Sequence, residues 1–369
     1  MKAEREIAGI ALPFAAGLAS SLYIGTVHTS EAAASIVMTS ALLIILMLSF
    51  RKSFGKTVQW SIIICLMGVC GYLAGATDTL ISVSRLEHNG WLESKALGFC
   101  SDMEAAIDRL PFKHEDTGQI IKALITGERS GIPKGITDSF RKSGASHILA
   151  LSGLHLGIIY GIIHTILGAL GNTSAIKNLR SAIAVALCGF YTVATGAGAS
   201  ITRAFIFIMI REYASVRRIH LTLPMVLMAS LMIQLASDPD DIRNIGFQLS
   251  YAAMAGIAWI FPWLQGFWPT DKRHDTIPVK CVRWIWNSAA LSISCQITTG
   301  PLAYWYFGSI PQHFLLTNLI AIPLAAIIIP MSLLTLAFSG FGWNPGILIS
   351  ATEWLITSFC SALEVISLM

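Results

Sequence analysis

Residues 313–338 read HFLLTNLIAIPLAAIIIPMSLLTLAF and contain no Asp, Glu, Lys or Arg. At 1.5 Å per residue, a helix of this length crosses about 30 Å of hydrocarbon and satisfies its own backbone hydrogen bonds. Similar apolar runs lie near 7–25, 34–50, 59–76, 147–170, 181–198, 221–236, 244–264, 284–307 and 346–368, with a shorter one at 201–212. The sequence therefore predicts an all-α, polytopic integral membrane helical bundle with about 10–11 membrane segments.

Composition excludes a soluble domain. Apolar residues make up 54% of the chain and charged residues 12%, about half of the roughly 25% that soluble domains carry. The seven cysteines form no CxxC pair, and the nine histidines have no metal-ligand spacing. We therefore expect no disulfide framework, no metal site and no cofactor.

The distribution of Lys and Arg orients the bundle, because basic loops stay in the cytoplasm. The basic loops contain Arg51, Lys52, Lys56, Lys177, Arg180, Arg217, Arg218, Lys272, Arg273, Lys280 and Arg283. Loops 26–33 and 308–312 have neither residue, and 237–243 is mostly acidic. The pattern predicts a multi-pass protein with a cytoplasmic N-terminus.

This topology suggests three consecutive regions. Residues 1–76 would form an N-terminal three-helix membrane region, and 77–145 an external segment of amphipathic helices. We place those helices at 94–110, 117–127 and 134–143, separated by Pro and Gly. Residues 146–369 would form the main membrane domain.

The most distinctive stretch reads ALITGERSGIP at 123–133 and FRKSGASHILALSGLHLG at 140–157. It predicts an outer helix that continues through Gly144 into a membrane span, with Ser152 and His155 about two turns inside. Polar groups at membrane depth mark either a functional site or an interhelical hydrogen bond. Ser152 and His155 could also form a nucleophile–base pair, but no acidic orienter or nucleophile elbow accompanies them. The spacing of Gly153, Gly157 and Gly161 predicts one face for close packing against another helix.

A second unusual feature is the turn at Gly196 and Gly198, closely followed by Arg203. Both flanks of 181–219 are basic, so the chain must leave the cytoplasm and return between them. The return leg at 201–212 has about twelve residues, too few for an ordinary span. We therefore expect a discontinuous or re-entrant helix pair, with the Arg203 guanidinium facing a hydrated cavity. The alternative is an ordinary hairpin in which Arg203 snorkels to the membrane interface.

Several motifs together resemble the competence domain of the ComEC family, bacterial membrane channels for single-stranded DNA in natural transformation. The similar stretches are LITGERSG at 124–131, GASHILALSGLHLG at 144–157, TGAGASITRA at 195–204, NIGFQLSYAA at 244–253 and TNLIAIP at 317–323. They follow the family's order and cover about 120 to 340. Unlike many members, the chain has no oligonucleotide-binding-fold insert after its early spans. It also lacks the C-terminal metallo-β-lactamase-like domain and its HxHxDH cluster. We expect either a minimal member or a truncated chain, without nuclease activity.

The resemblance implies translocation of single-stranded DNA across the bacterial inner (cytoplasmic) membrane. It also implies competence-machinery partners, namely a DNA receptor, a cytoplasmic ATPase motor and a separate nuclease; the channel could act as a monomer or a homodimer. A DNA path needs positive charge, polar walls and aromatic faces. The candidates for lining it are His147, Ser152, His155, Arg203, Gln248, Tyr251 and Gln296. The alternatives are a secondary transporter of a small polar solute, which inverted repeats would favour, and a membrane enzyme.

Overall fold

The computed structural model describes residues 2–24, 36–44, 46, 55–81, 91–171, 173–267 and 277–369. Besides a helical stretch at 36–44, its helices are α1 (Lys2–Ile24), α2 (Lys56–Ile81), α3 (Trp91–Asp108), α4 (Glu115–Ile125), α5 (Lys134–Ser143), α6 (Ser146–Leu149), α7 (Gly153–Gly168), α8 (Ser174–Ala194), α9 (Ala199–Arg217), α10 (Leu223–Ser237), α11 (Ile245–Gln265), α12 (Ile277–Phe307), α13 (Phe314–Gly340) and α14 (Gly346–Ser367). These ranges contain no strand. The all-α prediction is confirmed.

Five of the described helices are long and apolar enough to cross a membrane. They lie at Ala3–Tyr23, Lys56–Thr77, Ile245–Gln265, Phe314–Gly340 and Gly346–Ser367. The apolar helices α7 and α10 are shorter. The protein is therefore a polytopic helical membrane bundle, whereas the expected 10–11 segments stay a prediction. The residues outside the described ranges include loop 26–33, positions 34–35, 45 and 47–50 of run 34–50, and Arg51, Lys52, Lys272 and Arg273.

Two predicted segments differ from the structure. Run 147–170 is not one helix, because the backbone leaves the helix between Leu149 and Gly153. The return leg is not a twelve-residue piece, because α9 continues through Arg211 and Glu212 to Arg217, over 19 residues. A helix of that length rises about 28 Å. The discontinuous or re-entrant helix pair itself stays a prediction.

The chain forms two compact units, Met1–Asn89 with Ile206–Tyr251, and Gly90–Phe205 with Ala252–Met369. In the first unit, α1 and α2 approach so closely that a Cβ on Gly17 or Gly71 would overlap the backbone of the other helix. The turn Pro239–Arg243 closes this unit, since the Arg243 guanidinium donates to the Leu22 carbonyl at the end of α1.

In the second unit, the short helices α4, α5 and α6 pack against α13 and α14. Their buried side chains form one apolar core with Phe140 and Phe359 in edge-to-face contact, ring centroids 5.4 Å apart. Two long-range hydrogen bonds secure the packing. The Thr317 hydroxyl donates to the Ser143 carbonyl at 2.7 Å, and the His114 N–H donates to the Glu353 carboxylate at 2.8 Å.

The three helices expected within 77–145 are confirmed as α3, α4 and α5. They do not form a compact unit of their own, because they pack with helices from the 146–369 region. The expected division into 1–76, 77–145 and 146–369, with the middle region outside the membrane, stays a prediction.

Candidate functional site

The break between α6 and α7 is stabilised by a capping box. Ala150 and Ser152 have extended backbone conformations, and Ser152 is the N-cap of α7. The Ser152 hydroxyl accepts from the Leu154 N–H at 3.3 Å, while the Ser152 N–H donates to His155 Nδ1 at 3.2 Å. These contacts satisfy backbone donors that a helix start otherwise leaves open. Ser152 and His155 thus lie at the beginning of a helix, and their expected position two turns inside a span is wrong.

His155 is fully buried, and its imidazole ring is part of this capping box. The Ser152 Oγ lies 3.1 Å from Nδ1, on the same side as the Ser152 N–H. Because Nδ1 accepts there, the arrangement favours the neutral ring with its proton on Nε2. That Nε2 is buried and has no hydrogen-bond partner within the part of the chain that the structure describes. Capping accounts for the Ser152–His155 contact without a catalytic role.

Arg203 lies beside this helix start. Its side chain is 8% exposed. A Cβ built on Gly153 would come within 3.2 Å of Arg203 Nη2 and 3.4 Å of the Ala204 Cβ. The start of α9 therefore lies so close to the start of α7 that a side chain at residue 153 would displace its neighbours by a few tenths of an ångström.

The predicted glycine face extends no further along α7. A Cβ on Gly157 or Gly161 would meet nothing within 4 Å, and both positions are exposed. Among the described residues, only Gly153 has a partner on this face, and the helix-packing role of Gly157 and Gly161 stays a prediction. A four-residue glycine spacing shows that helices can approach closely, but a partner has to lie on that face.

The two glycines of the turn before α9, Gly196 and Gly198, differ in their structural roles. Gly196 has φ +81°, a left-handed conformation that favours glycine, and the following Ala197 N–H donates to the Thr192 carbonyl at 2.8 Å. This geometry ends α8 and reverses the chain. A Cβ on Gly198 would meet nothing within 4 Å. The turn thus joins α8 to α9, and its role as the break of a discontinuous helix pair stays a prediction.

The other predicted residues are spread over the fold. His147 is exposed, and its Nδ1 lies 3.0 Å from the Gly144 carbonyl oxygen. Gln296 is half-buried on α12 and lies near Gly300 of the same helix. Gln248 and Tyr251 belong to the first compact unit. The structure therefore brings together Ser152, Gly153, His155 and Arg203 from the predicted set.

Gln248 and Tyr251 belong to a polar network within the first unit. The Gln248 amide donates to the Ile242 carbonyl at 2.8 Å. The Tyr251 hydroxyl lies 3.1 Å from Gln234 Oε1, and the Gln234 amide donates to the Asp241 carboxylate at 2.7 Å. Gln234 is buried and Tyr251 is half-buried, and the contacts link α10 to α11. The DNA-path roles of Gln248 and Tyr251 stay predictions.

Sequence reasoning missed Tyr191 in α8. Its hydroxyl donates to the Ile125 carbonyl at 2.6 Å, at the end of α4 and just before the GERSG turn. A carbonyl at the end of a helix needs a partner of this kind. The neighbouring Phe190 packs edge-to-face on Phe99 of α3. No sequence signal identifies Tyr191, because its partner lies 66 residues away.

The described residues contain no group of three or more His, Cys, Asp or Glu side chains that could hold a metal ion. The site therefore consists of a capped helix start, a glycine gap and one nearly buried guanidinium. A guanidinium is a group that pairs with anions. These features define a helical membrane protein with a positive charge beside the break between α6 and α7.

Comparison with known proteins gives the family. The model of the competence protein family matches residues 124–369, two-thirds of the chain, so the chain belongs to this family. The match covers the capped break, Arg203 and the late TNLIAIP stretch. No solved structure matches the chain.

Three curated relatives are similar. ComE operon protein 3 of Bacillus subtilis is 28% identical over 137 residues, 37% of this chain and 17% of that protein. Competence protein ComA of Neisseria gonorrhoeae is 25% identical over 220 residues, 58% of this chain and 30% of its own. Recombination protein 2 of Haemophilus influenzae is 25% identical over 274 residues, 68% of this chain and 34% of its own. The chain therefore spans about a third or less of each relative's length.

Proposed function

We propose that this protein provides the path by which single-stranded DNA crosses the cytoplasmic membrane during natural transformation. The observation that carries the proposal is the competence family match over residues 124–369. Two of the similar proteins are named for competence or its operon. The comparisons give no support to the small-solute transporter.

The geometry suits weak, repeated contacts with a DNA backbone. Single-stranded DNA carries one negative charge per nucleotide, and a path across lipid has to offset that charge without holding the strand. Arg203 supplies a fixed positive charge with five donors, which suits phosphate oxygens. The charge is fixed beside the capped start of α7, whose dipole also favours anions. Few fixed contacts allow each phosphate to be released in turn.

The proposed role includes partners. A DNA receptor would deliver the strand, a cytoplasmic ATPase would pull it, and a separate nuclease would remove the complementary strand. The exposed Gly157 and Gly161 leave room for a second copy of the chain in the membrane, which the proposal permits and does not require. We propose no catalytic role, since capping explains the Ser152–His155 contact.

Deletion of the gene in its native bacterium tests the function. We expect transformation frequency to fall by at least a hundredfold and to return when the full chain is supplied from a plasmid. Uptake of labelled DNA into the cytoplasm should fall in parallel. Electroporation bypasses the uptake machinery, so electroporated cells should still incorporate the same marker. Normal transformation in the deletion strain would refute the proposal, and a growth defect on one solute would favour the transporter.

Topology provides a second test, because the charge pattern predicts an external α3 and a cytoplasmic end of α9. Ser101 and Arg217 are both exposed. In a chain whose seven cysteines are replaced, Ser101→Cys should react with a membrane-impermeant maleimide on intact spheroplasts. Arg217→Cys should react only after permeabilisation and serves as the matched control. The reverse pattern would place the N-terminus outside.

A further inference from the structure

The Arg203 guanidinium lies where three constraints meet. Ser152 and His155 fix the residue at which α7 begins. Gly153, the next residue, leaves the gap into which Arg203 Nη2 fits. The turn at Gly196 sets the residue at which α9 begins, and therefore the direction from which the Arg203 side chain approaches Gly153. We call the group of Ser152, Gly153 and His155 the arginine seat.

We propose that the arginine seat positions the Arg203 guanidinium for phosphate, so that Gly153 acts on DNA binding through Arg203 and not through contact with DNA. This inference rests on the proposed function. A guanidinium binds phosphate through two parallel N–H donors, so its orientation matters more than that of an ammonium group. A long side chain at a loosely packed site would lose conformational entropy each time it bound a phosphate. The Arg203 side chain, held by the arginine seat, has already lost that entropy.

The size of the gap makes the effect of a substitution specific. A Cβ at residue 153 would lie 3.2 Å from Nη2, tighter than ordinary van der Waals contact. Alanine therefore displaces the end of the Arg203 side chain by a few tenths of an ångström, and valine displaces it further. The same change at Gly157, one turn along α7, meets nothing within 4 Å. Gly157 is thus a matched control on the same helix.

The test uses the salt dependence of DNA binding, which counts phosphate contacts. Each contact to single-stranded DNA contributes about 0.7 to the slope of log K against log salt concentration. The purified full chain in detergent is titrated with fluorescent oligo-dT at several salt concentrations. Arg203→Ala should lower the slope by about 0.7. Gly153→Val should lower it as much, and Gly153→Val with Arg203→Ala should lower it no further. Gly157→Ala should leave the slope unchanged.

The outcomes separate the two proposals. An unchanged slope in Arg203→Ala removes Arg203 from the DNA path and refutes its proposed role. A lowered slope in Arg203→Ala with an unchanged slope in Gly153→Val overturns the arginine seat alone. An extra loss in the double variant means that Gly153 acts independently of Arg203, which also overturns it. If Gly153→Val does not accumulate, Gly153→Ala decides by the same criteria, with a smaller expected loss.

Ser152 gives an independent check. Asparagine is as good an N-cap as serine, whereas alanine is a poor one. Ser152→Asn should therefore keep the wild-type salt slope, and Ser152→Ala should lower it. Equal loss in both variants would mean that the hydroxyl itself is required, and would remove Ser152 from the seat.

Discussion

Replacing Arg203 with alanine is expected to abolish DNA uptake while the protein stays in the membrane at normal abundance. Arg203 is 8% exposed and supplies the fixed charge at the capped start of α7. On insertion scales an arginine at the centre of a span costs about 2.5–3.5 kcal/mol, so its removal should not impair insertion. Loss of uptake would then reflect the missing charge. Transformation frequency and immunoblotted membrane protein are measured together.

Two further variants define the result. Arg203→Lys keeps the charge and loses the paired donors, so partial uptake is expected. Arg211→Ala removes an exposed arginine from the same helix and should leave uptake near normal. Near-normal uptake in Arg203→Ala at normal abundance would leave Arg203 as an anchor of the helix pair and remove the main charge of the proposed path.

Gly144→Ala is expected to destabilise the protein by about 2–4 kcal/mol, combining a strained conformation with overpacking. Gly144 ends α5 with φ +88°, in the left-handed region. A Cβ there would also lie 2.7 Å from the Cβ of Pro311, a rigid ring that cannot move aside alone. The substitution should therefore displace the loop before α13 and weaken the Thr317–Ser143 hydrogen bond. Thermal unfolding in detergent and steady-state abundance both report the loss.

Gly135→Ala is the matched control. Gly135 lies in the first turn of α5, and a Cβ there would meet nothing within 4 Å. Alanine favours the helix over glycine by about 0.5–1 kcal/mol, so this variant should be as stable as the wild type or slightly more stable. If Gly144→Ala matched it, the left-handed turn would not limit the stability of this region.

The apolar runs predicted most helices because their length and hydropathy leave few alternatives in a bilayer. The apolar runs did not predict the break between α6 and α7, because Ala150 and Leu151 are ordinary helix formers. The signal was Ser152 followed by Gly153, an N-cap pattern inside an apolar run. Run 201–212 is shorter than α9 because hydropathy marks only the apolar part of a helix, whereas α9 continues with polar residues to Arg217.

The candidate site was predicted in part. Polar residues at membrane depth drew attention to Ser152, His155 and Arg203, and the structure places all three around one helix start. Their geometry could not be predicted, because it depends on the gap at Gly153 and on the way two helices meet. Glu353 and Tyr191 were missed for the same reason, since each bonds to a backbone group far away in sequence.

The long-range bonds of the second unit also constrain how the protein is made. The Ser143 carbonyl cannot accept its hydrogen bond until Thr317 is synthesised, 174 residues later. The His114 N–H cannot donate its hydrogen bond until Glu353 is synthesised, 239 residues later. At a synthesis rate of about 5–20 residues per second, that delay is on the order of 10–50 s. During this delay, the apolar faces of α4 and α5 are not yet covered by α13 and α14, the helices that bury them in the folded protein. We therefore expect ribosome stalling before α14 to leave these apolar faces uncovered and to direct the chain to proteolysis.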